Sequence, residues 1–253
     1  MTFSNLRIFF KLKYLCSVMA NGKLYLIPSP LGEGAVADSV PPRNIYIMES
    51  LKHFVVEEVT TARRFLSRCG MKGKIEGLNF YELNEHTDPS VGAGYVSLLL
   101  EGNDVGLISE AGLPAVADPG NVLVAAAHKA GIQVVPLVGP SSLMMALMAS
   151  GLQGQNFAFN GYLPVKEEAR RSKLRFYEAH SRKMNQSQIF IETPYRNDSL
   201  MASILEACSS STMLTIAADI SLPAEFIKTM SVGQWKKTGI KIGKRPCVFI
   251  ILG

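Results

Sequence analysis

The chain has 253 residues, is 47% apolar and 19% charged, and carries a formal net charge of +5. That is enough apolar material for one large domain or two smaller ones, and it excludes a largely disordered chain, a collagen-like chain and a disulfide miniprotein. The four cysteines form no CxxC pair and the four histidines no HxxxH pair, so no metal site and a reduced, cytoplasmic chain are expected. No run of 18 apolar residues suggests a transmembrane helix.

Residues 1–22 read as a leader outside the core. Arg7, Lys11 and Lys13 interrupt the apolar stretch that a secretory signal requires, and Met19 is a natural start. Residues 1–20 hold three cations and no acid, leaving +2 for the remainder. A nucleic-acid contact would therefore have to come from a local patch rather than from overall charge.

From Lys23, apolar runs alternate with helical patterns. Strands are predicted at Lys23–Ile27, Phe54–Glu57, Asn79–Leu83, Val105–Ser109 and Gln133–Leu137, and helices at Thr61–Cys69, Tyr95–Glu101 and Asn121–Ala130. This alternation predicts a mostly parallel sheet joined by right-handed crossovers. A Gly/Pro-rich break at 140–155 holds one short apolar helix, Leu143–Ser150. Its Met144, Met145 and Met148 read as core. Strands follow at Phe157–Tyr162, Gln188–Glu192, Met213–Ala218, Glu225–Met230 and Cys247–Leu252, with helices at Glu167–His180, Asp198–Cys208 and Gly233–Thr238. The last strands lie too close in sequence for helical crossovers, so a mixed sheet is expected. The fold class is α/β, with domains at 23–139 and 156–253 and a linker and helix at 140–155.

The turn after the first strand contains Gly32-Glu33-Gly34 and Ala37, the spacing of a dinucleotide fingerprint. Pro28 and Pro30 stiffen it, and Pro41-Pro42 should stop any helix behind it, which leaves an ordinary Gly/Pro turn or a loop approaching another ligand. "GIKIGKRP" is one residue short of a P-loop and has Arg245 at the Ser/Thr position. More informative is "LISEAGLPAVADPG". A buried-looking strand ends at Ser109, and Glu110-Ala111-Gly112-Leu113-Pro114 form a tight loop at its carboxyl end, where open α/β sheets hold ligands. Asp118-Pro119 reads as an N-cap and first turn. "VGPSSLMM" repeats the arrangement, with Ser141 or Ser142 able to cap a helix or hold a polar ligand group.

The ordered blocks "LYLIPSPLGE", "LISEAGLPAVADPG", "VVPLVGPSSLMMALMASGL", "FNGYLP" and "IFIETPYRNDSL" resemble the tetrapyrrole methylase family, the class III S-adenosylmethionine-dependent methyltransferases. The resemblance is closest to the branch containing ribosomal RNA small-subunit methyltransferase I, a ribose 2'-O-methyltransferase. It implies two α/β domains with the cofactor, S-adenosyl-L-methionine, in a cleft between them, and a homodimer. By position, it implies cofactor contacts at Pro30, Gly32, Ser109, Glu110, Ala111, Leu113, Ser141, Ser142, Glu192 and Ala218. Glu110 stands where the branch normally has aspartate, and Leu113 where it has threonine.

A ribose hydroxyl is a poor nucleophile and gains from a base; Glu57, Glu58, Glu85 and His86 are the candidates, with surface ion pairing and a plain loop histidine as the alternative roles. The Lys166–Lys183 segment carries seven cations and three acids. It fits rRNA phosphates or, equally, a solvated helix face. Competing functions are methylation of a tetrapyrrole or other small molecule, and cofactor binding without catalysis.

Overall fold

The computed structural model describes residues 20–34 and 36–253. The leader reading therefore falls largely outside the described residues; Gly22, at its end, already donates its N–H to the Leu99 carbonyl at 2.8 Å. The chain forms two compact units. One comprises the described residues up to Ser29 together with Val40–Gly139, and the other Pro30–Ser39 with Pro140–Gly253.

The first unit holds strands β1 (Leu24–Ile27), β2 (His53–Val56), β3 (Asn79–Glu82), β4 (Val105–Ile108) and β5 (Val134–Pro136), with helices α1 (Pro42–Ser50), α2 (Val59–Leu66), α3 (Pro89–Gly94), α4 (Val96–Leu100) and α5 (Asn121–Lys129). The sheet order is β3-β2-β4-β1-β5, and every pairing is parallel. All four residues of β4 are buried, as a central strand covered on both faces requires. Leu24, Val55, Leu99, Leu107, Leu123 and Ala127 are among the residues that close one side of it.

Two helices escaped the sequence reading. No helix runs from the glycines through Pro41-Pro42, since only a three-residue 3-10 turn, Val36–Asp38, lies between, but Pro42 opens α1, because proline at the first helical position loses no hydrogen bond and arrives with a helical φ. Asp88 caps α3 by accepting from Ser90 N at 2.8 Å, a start obscured by the two glycines that follow. The helix read at Thr61–Cys69 is α2, capped by Glu58 and continued by a single π turn at Ser67–Met71.

The second unit holds α6 (Ser142–Ser150), α7 (Glu167–Met184), α8 (Asn197–Ala207) and α9 (Val232–Thr238) around β6 (Phe157–Tyr162), β7 (Ser187–Ile191), β8 (Met213–Ala218), β9 (Phe226–Ser231) and β10 (Cys247–Leu252). The order is β6-β7-β10-β8-β9. β6 and β7 run parallel; the other three pairings are antiparallel. The expected mixed sheet is thus present. One face packs Leu174, Phe190, Leu200, Ile204, Trp235 and Phe249. The other packs α6 through Leu143, Ala146 and Leu147 onto Ile189, Val248 and Ile250, with Leu31 against the same cluster.

The methionine reading needs correction. Only Met145 packs against the cluster, while Met144 is exposed and Met148 is 80% exposed, since residues 144 and 148 share the helix face turned away from the sheet. Cys69, Cys208 and Cys247 are buried and unbridged, and burial pushes their thiols up to about 11, about 12 and about 12 respectively. Among the described residues, no helix is long and apolar enough to cross a membrane, and no group of three or more His, Cys, Asp and Glu could hold a metal ion.

Candidate active site

A parallel sheet delivers the carboxyl ends of all its strands to one edge. The connection leaving β1 runs toward β2, and that leaving β4 runs toward β5. Neighbouring strands whose connections depart in opposite directions form the position where open α/β sheets hold ligands. Here the two loops are tied together. Ser29 and Gly112 exchange backbone hydrogen bonds of 3.0 and 3.1 Å. The buried Ser29 hydroxyl donates to the Ser109 carbonyl at 2.8 Å, and the Ser109 hydroxyl donates to the Gly112 carbonyl at 3.3 Å. Ser109 lies in the floor, Leu113 is half-buried, and Glu110 and Ala111 are exposed at the rim.

The loop from Ser109 to Gly120 departs from ordinary backbone. Gly112 has φ +77°, and Ala115 and Ala117 have φ +64° and +62°. Glycine takes this conformation freely, whereas alanine meets its own Cβ. The Asp118 carboxylate braces the bend by accepting from Ala115 N at 2.8 and 2.9 Å and from Gly120 N at 2.7 Å. Asp118 is therefore a loop brace and not the helix cap expected from the sequence, since α5 starts at Asn121 with Gly120 before it and no side-chain cap. Burial raises the Asp118 carboxyl above its ordinary range against the pull of these N–H groups.

The four candidate bases separate clearly. Glu58 spends both carboxylate oxygens on the start of α2, accepting from Thr60 N at 2.7 Å and from Thr61 N and Oγ1 at 2.6 Å. These bonds hold it down to about 2, so it is a poor proton acceptor. Glu85 and His86 lie 3.5 Å apart with both side chains highly exposed. Glu57 is different. It follows β2 directly, is partly buried, and accepts the Glu110 N–H at Oε1 over 3.0 Å. Desolvation raises its carboxyl, with Asp118, Glu110 and Glu85 adding repulsion and the Glu110 N–H opposing. The Glu110 carboxyl is also raised, by desolvation and by Glu58, against a hydrogen bond from Thr61. Glu57, Glu110 and Asp118 thus form one carboxylate group at this edge.

The second unit places its expected residues in more closed surroundings. Ser141 caps α6, accepting from Met144 N at 3.4 Å, and Ser142 is the first helical residue. Glu192, just after β7, is 5% exposed. Its Oε1 takes Arg196 at Nε over 2.9 Å and Nη2 over 2.5 Å, and Thr193 N over 2.7 Å, while Oε2 has no hydrogen-bond partner among the described residues. Ala218 ends β8 fully buried, before an Asp219 that pairs with Arg245 at 2.5 Å. Pro30 and Gly32 also belong to this unit. A Cβ on Gly32 would meet Leu222 Cδ1 at 2.7 Å, so that glycine accommodates a leucine of its own unit, which accounts for it without a dinucleotide.

Ser29 was missed. Its signal was a serine between two prolines after a buried strand, where a side chain can replace the amide hydrogen bonds that proline lacks.

The basic segment is divided by its own helix. Arg170 is buried, donating to Ser203 Oγ at 2.9 Å, Ser199 Oγ at 2.8 Å and the Val165 carbonyl at 2.9 Å. Arg171 is held between Glu167 and Glu206, and Arg182 lies 3.7 Å from Glu178. These three arginines serve the fold, while Lys173 and Lys183 enter no ion pair among the described residues.

No protein-family model matches the chain. Its sequence is 29% identical over 238 residues to a protein of Pseudomonas aeruginosa called ribosomal RNA small subunit methyltransferase I, covering 93% of this chain and 80% of that one. A protein of the same name from Pasteurella multocida is 30% identical over 235 residues, covering 92% and 79%. Among solved structures, the methyltransferase CobJ aligns with a TM-score of 0.62 at 17% identity over 92% of this chain and 94% of that one. A uroporphyrin-III C-methyltransferase from Thermus thermophilus, complexed with S-adenosylhomocysteine, aligns with a TM-score of 0.55 at 15% identity, covering 91% and 97%. These structures share the fold, and the Pasteurella relative supplies the kinship: the chain is a methyltransferase and belongs to the ribosomal RNA small subunit methyltransferase I family.

Proposed function

We propose that this methyltransferase uses S-adenosylmethionine to methylate a ribose 2'-hydroxyl of small-subunit rRNA. The observation that carries the reading is the braced loop after β4, with its partly desolvated carboxylate Glu57, at the carboxyl edge of the parallel sheet. The donor set fits the cofactor. Exposed Ala111 and half-buried Leu113, on either side of the Gly112 turn that Ser29 closes, give a ligand access to backbone groups, and the carboxylates of Glu110 and Asp118 suit a ligand bearing a sulfonium, an ammonium and ribose hydroxyls. When bound, the cofactor supplies an electrophilic methyl on a cationic sulfur, and its loss of that methyl leaves a neutral thioether.

The chain's own work is to orient and to hold a proton. Backbone groups of Ser109–Leu113 and the Glu110 carboxylate bind the cofactor, as the resemblance implies. Glu57 accepts the proton of the ribose hydroxyl, because its raised affinity for a proton brings it nearer to neutral pH than an ordinary carboxylate. Glu58 has no such role, and Glu85 and His86 are highly exposed side chains in the loop after β3. In the second unit, Ser141, Ser142, Glu192, Ala218, Pro30 and Gly32 are cofactor contacts by the same resemblance, to be tested individually. A cytoplasmic location accompanies an rRNA substrate. A homodimer joined through the α6 side of the second sheet is supported by exposed Met144 and Met148, and by exposed Phe157 and Phe159, with Phe159 in register with Ile189 of that side. Light scattering giving a monomer at micromolar concentration would remove the dimer.

The test uses small subunits from cells lacking the gene, incubated with the purified chain and methyl-labelled S-adenosylmethionine. Mass spectrometry of the rRNA nucleosides should show one new ribose methyl. Label appearing only on added tetrapyrroles would redirect the reading to small molecules, and no calorimetric binding of either S-adenosylmethionine or S-adenosylhomocysteine at millimolar concentration would end it.

A further inference from the structure

In α7, the three arginines used by the fold and all three acids of the Lys166–Lys183 segment leave one stripe free of both. Lys173, Phe176, His180 and Lys183 follow one another at intervals of three, four and three residues, the spacing that aligns side chains along one face of a helix. All four are exposed. Phe176 is 59% exposed, an unusual position for a phenylalanine on a helix whose inner side already buries Arg170, Leu174, Glu178 and Ser181. Its ring lies nearly parallel to that of His180, 6.2 Å between centroids and 15° between planes. The Lys173 ammonium stands 5.6 Å from its centroid and 5.9 Å from that of Tyr177.

We infer that the Lys173–Phe176–His180–Lys183 stripe of α7 is a docking surface for single-stranded RNA, with the lysines on phosphates and the aromatic pair stacking an unpaired base. Charge complementarity selects the occupant: the stripe carries two cations that enter no ion pair among the described residues and no carboxylate of its own, and it interleaves them with aromatic faces. That combination suits a polyanion with exposed bases, whereas a protein partner would be expected to bring an apolar surface and meet fewer bare ammonium groups. The inference rests on the rRNA reading and specifies which part of the chain touches the RNA away from the methyl-transfer site.

The experiment is fluorescence anisotropy of the full chain with a labelled single-stranded RNA of about 20 nucleotides, long enough for several groove-scale sites of the kind single-strand binders use, at several salt concentrations. Phe176→Ala should weaken binding by about tenfold or more, the scale of one lost base stack, while leaving the salt dependence unchanged. Lys173→Ala with Lys183→Ala should reduce the slope of log K against log salt by about 1.4, the share of two phosphate contacts on a single strand. Phe176→Trp should retain affinity. S-adenosylmethionine affinity should be equal in all variants, which separates this surface from the cofactor loop. If the wild type binds RNA and these variants bind equally well, or if Lys236→Ala with Lys237→Ala on α9 has the same effect, the surface is overturned while the rRNA reading stands. A wild type that neither binds RNA nor methylates small subunits overturns both. Loss of dimerisation in Phe176→Ala without loss of RNA affinity assigns the stripe to a second copy of the chain and overturns the inference.

Discussion

The two units have five strands each but treat their strand ends differently. In the first, parallel pairing brings five carboxyl ends to one edge. Burial raises the carboxyls of Glu57, Glu110 and Asp118 there, with repulsion from neighbouring acids adding at Glu57 and Glu110 and hydrogen bonds only partly opposing. In the second, acids at the ends of β7 and β8 are paired with arginines, Glu192 with Arg196 and Asp219 with Arg245. A paired acid fixes a turn, whereas an acid desolvated without a cation beside it retains an appetite for protons. The acids with raised proton affinity thus lie in the first unit, while these two acids of the second are tied into ion pairs.

The largest effect should come from breaking that asymmetry at Glu57. Glu57→Gln keeps an acceptor for the Glu110 N–H and removes the base, so kcat should fall by about 10²–10⁴-fold, the usual contribution of a positioned base, with cofactor affinity unchanged by calorimetry. Glu57→Ala should lose both. An active Glu57→Gln would mean that Glu57 only positions the loop. In the wild type, kcat should fall as pH drops through a value above the ordinary glutamate range, because the base must be ionised and its carboxyl is raised; Asp118, Glu110 and Glu85 are the acids contributing to that limb.

Glu192→Ala tests the other side of the contrast. It leaves the Arg196 guanidinium without its partner in a mostly buried turn, and it should destabilise the fold by about 2–4 kcal/mol, somewhat below the range for a fully buried broken pair. Chemical denaturation checks this, and a variant with wild-type stability but weakened S-adenosylmethionine binding would instead assign Glu192 to the ligand. Glu110→Ala comes next. It should weaken S-adenosylmethionine binding by about 1.5–3 kcal/mol, the scale of a hydrogen bond to a charged group, with little change in stability. Equal affinities would leave that corner to backbone groups alone.

The smallest effect concerns Glu58. Its folded carboxyl lies at about 2, below its unfolded value. The capping it provides is therefore fully present above the unfolded pKa and is lost as pH falls through the folded one. Glu58→Gln should blunt the acid limb of the stability curve below about pH 4 without touching the rate of methylation at neutral pH.

Much of this was legible because strand signals are local. Val105–Ile108 is an apolar run bounded by a charged turn and a glycine loop, and its strand appears where the run lies. The same holds for β6, β8 and β10, whose observed bounds match their apolar segments. What escaped depended on neighbours distant in sequence or on signals with two meanings. Pro42 could end a segment or begin one, and only the packing of α1, with Asn44 Nδ2 donating to the Val138 carbonyl at 2.8 Å, decides. Asp118 has the spacing of a helix cap, yet the left-handed backbone at Ala115 turns an amide toward it first. Glu57 and Glu58 are adjacent and chemically identical. Alternation along the chain points one toward the Glu110 amide and the other toward the start of α2, and no composition or motif separates them.

Pro30–Ser39 belongs to the second unit although it precedes nearly all of the first. During synthesis these ten residues emerge early, but the cluster that Leu31 packs against is complete only after Ile189, Ala217 and Val248 have been made. The first unit can close its sheet once β5 is complete. The second must wait for a segment tethered across the whole of the first, a closure whose entropic cost grows slowly with the intervening length but which delays the pairing in time. The order of assembly is thus written into the threading: the nascent chain carries residues 30–39 with their unit incomplete until β10 is made, and a chain permuted to place residues 30–39 beside the second unit's own sequence should fold with that delay removed.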